Sequence, residues 1–67
     1  MAASVARLTT PVTATVTTSF NSFKEGEQVV IDRVTTKALW YGAKGRQEFI
    51  PCQNVDEKAK GEIRRQI

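Results

Sequence analysis

The clearest regularity in the chain begins at Pro11. Val12, Ala14, Val16 and Phe20 fall on one parity, and Thr13, Thr15 and Thr17 fall on the other. Alternation at period two in a β-branched run predicts a half-buried strand. Threonine suits the wet face, because it tolerates both water and a pleated backbone. After the polar turn Lys24-Glu25-Gly26-Glu27 comes a second β-branched run, Gln28 to Val34. Thr35-Thr36-Lys37 breaks the pattern, and Ala38 to Ala43 forms a third strand. Lys44-Gly45-Arg46 reads as a tight turn in which Gly45 takes positive φ. Gln47 to Ile50 is a fourth strand, which Pro51 stops because proline cannot donate to a ladder. Gln53-Asn54-Val55 adds a last short strand or a helical turn.

The two ends are less regular. Residues 1–10 are small and polar, and read as a flexible arm or a weak first strand. In the tail, 57–67, Asp56 is placed to cap a helix, Lys58 and Glu62 stand at i, i+4, and Ile63 and Ile67 share a face. Gly61 costs such a helix about 1 kcal/mol. The tail therefore reads as basic and either marginally helical or frayed, and dispensable for folding beyond Glu57. The domain proper is expected at 11–56. Four or five short strands in about 45 residues predict an all-β fold, a small barrel or a strongly bent sheet. Parity assigns Val12, Ala14, Val16, Phe23, Val29, Ile31, Ala43, Ile50 and Val55 to its core.

Composition narrows the function. A chain of 67 residues holds one domain. It buries only about 60% of its unfolded surface, leaving a thin core and no enclosed active-site cavity. There is no histidine and a single cysteine, Cys52. An internal disulfide and a Cys/His metal cluster are thereby excluded, and general acid–base and nucleophilic machinery is nearly absent. No cofactor, metal or catalytic residue is expected. No stretch approaches about 18 apolar residues, the N-terminus lacks a signal-like apolar block, and a lone thiol fits a reducing compartment. A cytoplasmic, free-standing protein, of a size common among phage and bacterial barrels, is the expectation.

From Phe23 to Val55 the chain resembles the second half of an SH3 domain. The residues that carry the resemblance are Phe23-Lys24-Glu25-Gly26-Glu27 followed by Val29 and Ile31, then Trp40-Tyr41-Gly42-Ala43, then Phe49-Ile50-Pro51 and Val55. The resemblance implies an SH3-like barrel and a ligand-contacting tryptophan at Trp40. The family's first-strand motif is replaced by Ala14-Thr15-Val16-Thr17-Thr18, and its tyrosine before the closing valine by Asn54. In the family those tyrosines hold proline-rich ligands, so the likeness speaks for the fold more than for that ligand.

Trp40 has two readings. It covers the end of the barrel, or it stands exposed beside Phe49 and Pro51 as a binding platform. The second reading gives a protein-binding set of Trp40, Phe49, Pro51, Asn54 and Glu25. A runner-up pairs Trp40 and Tyr41 with Arg33, Lys37, Lys44 and Arg46, because interleaved aromatic and basic residues suit nucleic acid. The formal charge of +3 is small for that role, and a solvated hairpin face accounts for these cations better. A third reading is a structural subunit that self-assembles into homo-oligomers through strand edges.

Overall fold

Strand pairing turns the alternation at Val12, Ala14 and Val16 into one wall of a core. The computed structural model describes residues 4–67, apart from the side chain of Thr36. It contains strands β1 (Val5–Thr15), β2 (Gln28–Thr35), β3 (Trp40–Ala43) and β4 (Phe49–Pro51), and one helix, α1 (Glu57–Arg64). The strands form an open antiparallel sheet in the order β1-β2-β3-β4. A turn at Thr36–Ala38, left-handed at Lys37 and Ala38, leads into β3, and a single turn of 3-10 helix at Cys52–Asn54 leads out of β4. Gly45, at φ 78°, takes the left-handed conformation that the β3–β4 turn requires.

Every core position expected from parity is buried. The core is larger than the alternation predicted, because Leu8, Val34, Ala38, Tyr41, Ala59 and Ile63 join it. Three of these correct the expected domain limits. Leu8 comes from the span read as an arm, yet β1 starts at Val5 and pairs with β2 as Val5–Thr35, Ala6–Val34 and Arg7–Arg33. The register shifts between Arg7 and Val12. Pro11 sits in that stretch, where a residue without an N–H disturbs the ladder least. Leu8 keeps the parity of Val12 and Ala14, but the exposed Thr10 and Pro11 between them interrupt the alternation. Residues 1–3 of the expected arm lie outside the described residues. Phe20 is not on the first strand, as its parity implied, but in an isolated bridge with Phe23.

Ala59 and Ile63 come from the tail. Ile63 is 0% exposed, so the helix is part of the core rather than a dispensable appendage. Asp56 sets its position. One carboxylate oxygen accepts the Ala59 N–H at 3.0 Å as an N-cap. The other accepts the Thr15 N–H at 2.8 Å, and the Asp56 N–H donates to the Thr15 carbonyl at 3.1 Å. At the far end the Gln66 carboxamide both accepts from the Thr10 N–H and donates to the Thr10 carbonyl, each at 2.8 Å. The helix is thus hydrogen-bonded to β1 at both ends, and packing outweighs the conformational cost of Gly61. Its ion pair is Lys60–Glu57, not the anticipated Lys58–Glu62.

The Tyr41 hydroxyl is buried with no hydrogen-bond partner among the described residues. Burial pushes its pKa above the ordinary 10.0.

Two predictions follow from α1. Ile63→Ala should cost about 2–5 kcal/mol. A domain of this size has roughly 3–5 kcal/mol in all, so circular dichroism should show a largely unfolded variant; a cooperative melt near that of the wild type would contradict the core assignment. Desolvation raises the Asp56 pKa, but the backbone N–H groups of Thr15, Ala59 and Asp56 itself outweigh it and hold the carboxyl below 3.8. A depressed carboxyl stabilises the fold fully above its unfolded pKa, and that contribution disappears as pH falls through the folded value. Asp56→Ala should cost about 0.5–2 kcal/mol in urea titrations at pH 7. The difference between the two proteins should shrink below pH 4, in the ordinary carboxylate range; a pH-independent difference would assign the loss to something other than the charge.

Candidate functional site

The outward face of the sheet is assembled by register. Burial of Tyr41 and Ala43 on β3, and of Ile50 on β4, sends Trp40, Gly42, Phe49 and Pro51 to the other face. Trp40 pairs with Pro51. The Thr35 hydroxyl holds the Trp40 backbone from the β2 side, accepting from its N–H at 3.0 Å and donating to its carbonyl at 3.3 Å. The Trp40 side chain meets Phe20 edge to face, with ring centroids 5.6 Å apart and planes at 65°. Trp40 nevertheless remains 40% exposed, and its neighbour Leu39 57%. The barrel-covering reading of Trp40 does not describe this arrangement.

Phe20 reaches Trp40 because the β1–β2 loop folds back on itself. Phe20 and Phe23 exchange backbone hydrogen bonds of 2.9 and 2.8 Å around Asn21-Ser22. Asn21 takes φ 50°, which asparagine tolerates better than most residues. Arg46 pins this loop to the β3–β4 turn. Its guanidinium pairs with Glu27 at 2.8 Å, donates to the Ser22 carbonyl at 3.0 Å and hydroxyl at 2.8 Å, and lies 4.0 Å from the centre of the Phe23 ring. The Lys24 N–H donates to Glu27, and that bond, aided by Arg46, holds the Glu27 carboxyl below its ordinary pKa.

A second row lies beside the first. Arg7 pairs with Arg33, Arg33 with Gly42, and Gly42 with Phe49. Arg33 lies over the Phe49 ring at 5.1 Å. It donates to the carbonyls of Ala43 and Arg46 at 2.6 and 2.7 Å, and pairs with Asp32 at 3.0 Å. Gly42 makes this stack possible: a Cβ there would stand 2.9 Å from Phe49 Cε2 and 3.0 Å from the Arg33 guanidinium.

The structure therefore redistributes the expected site residues. Trp40 and Pro51 come together, while Phe49 lies one row away, half-covered by Arg33. Asn54 is corrected from partner contact to internal support, because it is 8% exposed and its Nδ2 donates to the Thr18 carbonyl at 3.1 Å. Glu25 stands exposed in its turn, with no hydrogen bond or ion pair joining it to the Trp40 cluster among the described residues. Of the basic set, Arg33 and Arg46 are committed to internal contacts, Lys37 and Lys44 are exposed, and Tyr41 is wholly buried. Sequence reasoning missed Phe20. The turn-forming Asn21-Ser22 between two phenylalanines is the pattern that marks it.

The described residues contain no group of three or more potential metal ligands and no helix long and apolar enough to cross a membrane. Comparison with protein-family models, curated proteins and solved structures returns no match.

The exposure of Trp40 has a direct readout, since the chain has one tryptophan. Its emission should be readily quenched by acrylamide and only partly blue-shifted from that of free tryptophan. Emission protected from quencher in the folded monomer would place the indole inside and remove the site.

Proposed function

We propose that this protein is a non-enzymatic binding module of SH3-like barrel type, which presents Phe20, Trp40 and Pro51 to a protein partner. The barrel reading is supported by the segment after β4. Val55 bridges Val16, and the Thr17 N–H donates to the Asn54 carbonyl at 2.8 Å, so the chain returns to β1 from the side opposite β2. The SH3 resemblance of residues 23–55 fits the same path.

The observation that carries the functional reading is an ordered aromatic left at the surface. Trp40 is held through its backbone by Thr35 and through its ring by Phe20, yet it remains accessible. An aromatic already immobilised loses little side-chain entropy on binding, and buried tryptophans contribute strongly at interface centres. Protein is favoured over nucleic acid because Tyr41 is unavailable for stacking and two of the four proposed cations are spent inside the fold. Self-assembly through β1 is disfavoured along its second half, where Asp56 and Gln66 already occupy backbone groups of Thr15 and Thr10.

The test is capture from nuclease-treated lysate with wild-type and Trp40→Ala baits, followed by affinity measurement on the purified partner. Trp40→Ala should stay folded and weaken binding by about 2 kcal/mol or more. Lys44→Ala should leave affinity unchanged. Binding that vanishes with nuclease, or falls steeply with salt as counterion release requires, would favour a nucleic acid instead.

A further inference from the structure

The exposed apolar surface does not stop at Trp40. Val5 pairs with Thr35 on β2, Thr35 is hydrogen-bonded to the Trp40 backbone, and Trp40 pairs with Pro51. One continuous row thus crosses all four strands. Its far end is open: Val5 is 52% exposed, and it also edges a groove of about 380 Å³ that reaches to the α1 side of the sheet, where Val34, Ala38 and Ile67 line it.

The charge around this end has one sign. Lys37 lines the groove, and Arg7 lies two residues from Val5 on the same face of β1. Both are exposed, and neither forms an ion pair among the described residues. Arg33, the cross-strand neighbour of Arg7, adds positive charge that Asp32 only partly offsets. Lys37 also takes φ 60° and the next residue, Ala38, φ 56°. Left-handed backbone at two successive non-glycine residues is costly, and here it forms the turn that carries Lys37 and Ala38 to the groove.

We propose that the binding face runs across the sheet from Trp40 to Val5 and takes an extended acidic–apolar peptide segment, with one apolar side chain on Phe20–Trp40–Pro51, a second on Val5, and carboxylates at Arg7 and Lys37. This rests on the reading of Trp40 as a protein-binding residue, and adds the ligand's chemistry and spacing. Two strand intervals separate Trp40 from Val5, about 10 Å. An extended chain covers that distance in about three residues. The segment should therefore carry apolar residues two or four apart, on one side of the extended chain, with Asp or Glu between or beside them. Unpaired cations flanking an apolar row repel a basic ligand and complement an acidic one.

The experiment is selection of a displayed random 12-residue peptide library on the wild-type domain, with enriched peptides remeasured by fluorescence anisotropy. Enriched sequences should be net acidic, with the stated apolar spacing. Affinity should fall at least tenfold for Arg7→Glu and for Val5→Ser, both surface changes that leave circular dichroism unaltered, and also for Trp40→Ala. Peptides that need Trp40 but bind Arg7→Glu and Val5→Ser as tightly as wild type would overturn this extension while leaving the proposed function standing. A selection yielding no Trp40-dependent peptide would overturn both. A fluorescein-labelled oligo-dT that binds the wild type and is lost with Arg7→Glu would replace the acidic peptide by single-stranded nucleic acid.

Discussion

The junction at Asp56 is the constraint on which the architecture depends. A single carboxylate receives N–H groups from two elements far apart in the chain, Thr15 at the end of β1 and Ala59 in the first turn of α1. Without disulfide or metal, a chain this short must bring every apolar side chain it can to one core. The Asp56 junction does so by fixing the direction in which the helix leaves the sheet. Ile63 and Ala59 then cover the inner face, and Gln66 returns to Thr10. A helix of eight residues is too short to be stable alone in water; here the sheet supplies its stability and it supplies part of the sheet's core.

The same arrangement frees the opposite face. With α1 inside and the β1–β2 loop held at one side by Arg46, the outward residues of β3 and β4 are left without a covering layer. Arg46 and Arg33 do related work: each lays a guanidinium on a phenylalanine ring and spends its remaining donors on backbone carbonyls. Arg46 fixes the loop that carries Phe20, and Arg33 fixes Phe49 over Gly42. The proposed binding face is therefore pre-organised, and little ordering would remain to oppose association. The cations that look mobile in composition are half structural.

Much of this was legible in the residues. The parity of Val12, Ala14 and Val16, the β-branched run at Val29–Ile31, and the stop at Pro51 placed the sheet and most of its inner face, and the same parity set Trp40 opposite Ala43. What was not legible has a common cause. Leu8 shares the parity of Val12 but is separated from it by the exposed Thr10, and Val34 lies beyond a register shift, so its parity disagrees with that of Val29 and Ile31 on the same strand. Ile63 lies in a segment whose local propensity is weak and whose stability is tertiary. The fates of Asn54, Arg33 and Arg46 depend on which carbonyls lie nearby in the fold, and no local pattern reports that. Phe20 was assigned by alternation to a strand that ends before it; a turn begun by Asn21 was the competing rule.

The central claim is that the ordered, exposed face around Trp40 is where a partner is recognised. The most direct measurement is amide and indole chemical-shift mapping of the isotopically labelled domain as a bound partner or selected peptide is titrated in. The account predicts that the Trp40 indole N–H moves most, with backbone shifts confined to Phe20, the outward residues of β3 and β4, and the neighbouring Val5–Arg7 stretch. Shifts gathered on α1 or around the Glu25–Gly26 turn, with the Trp40 indole unmoved, would contradict it.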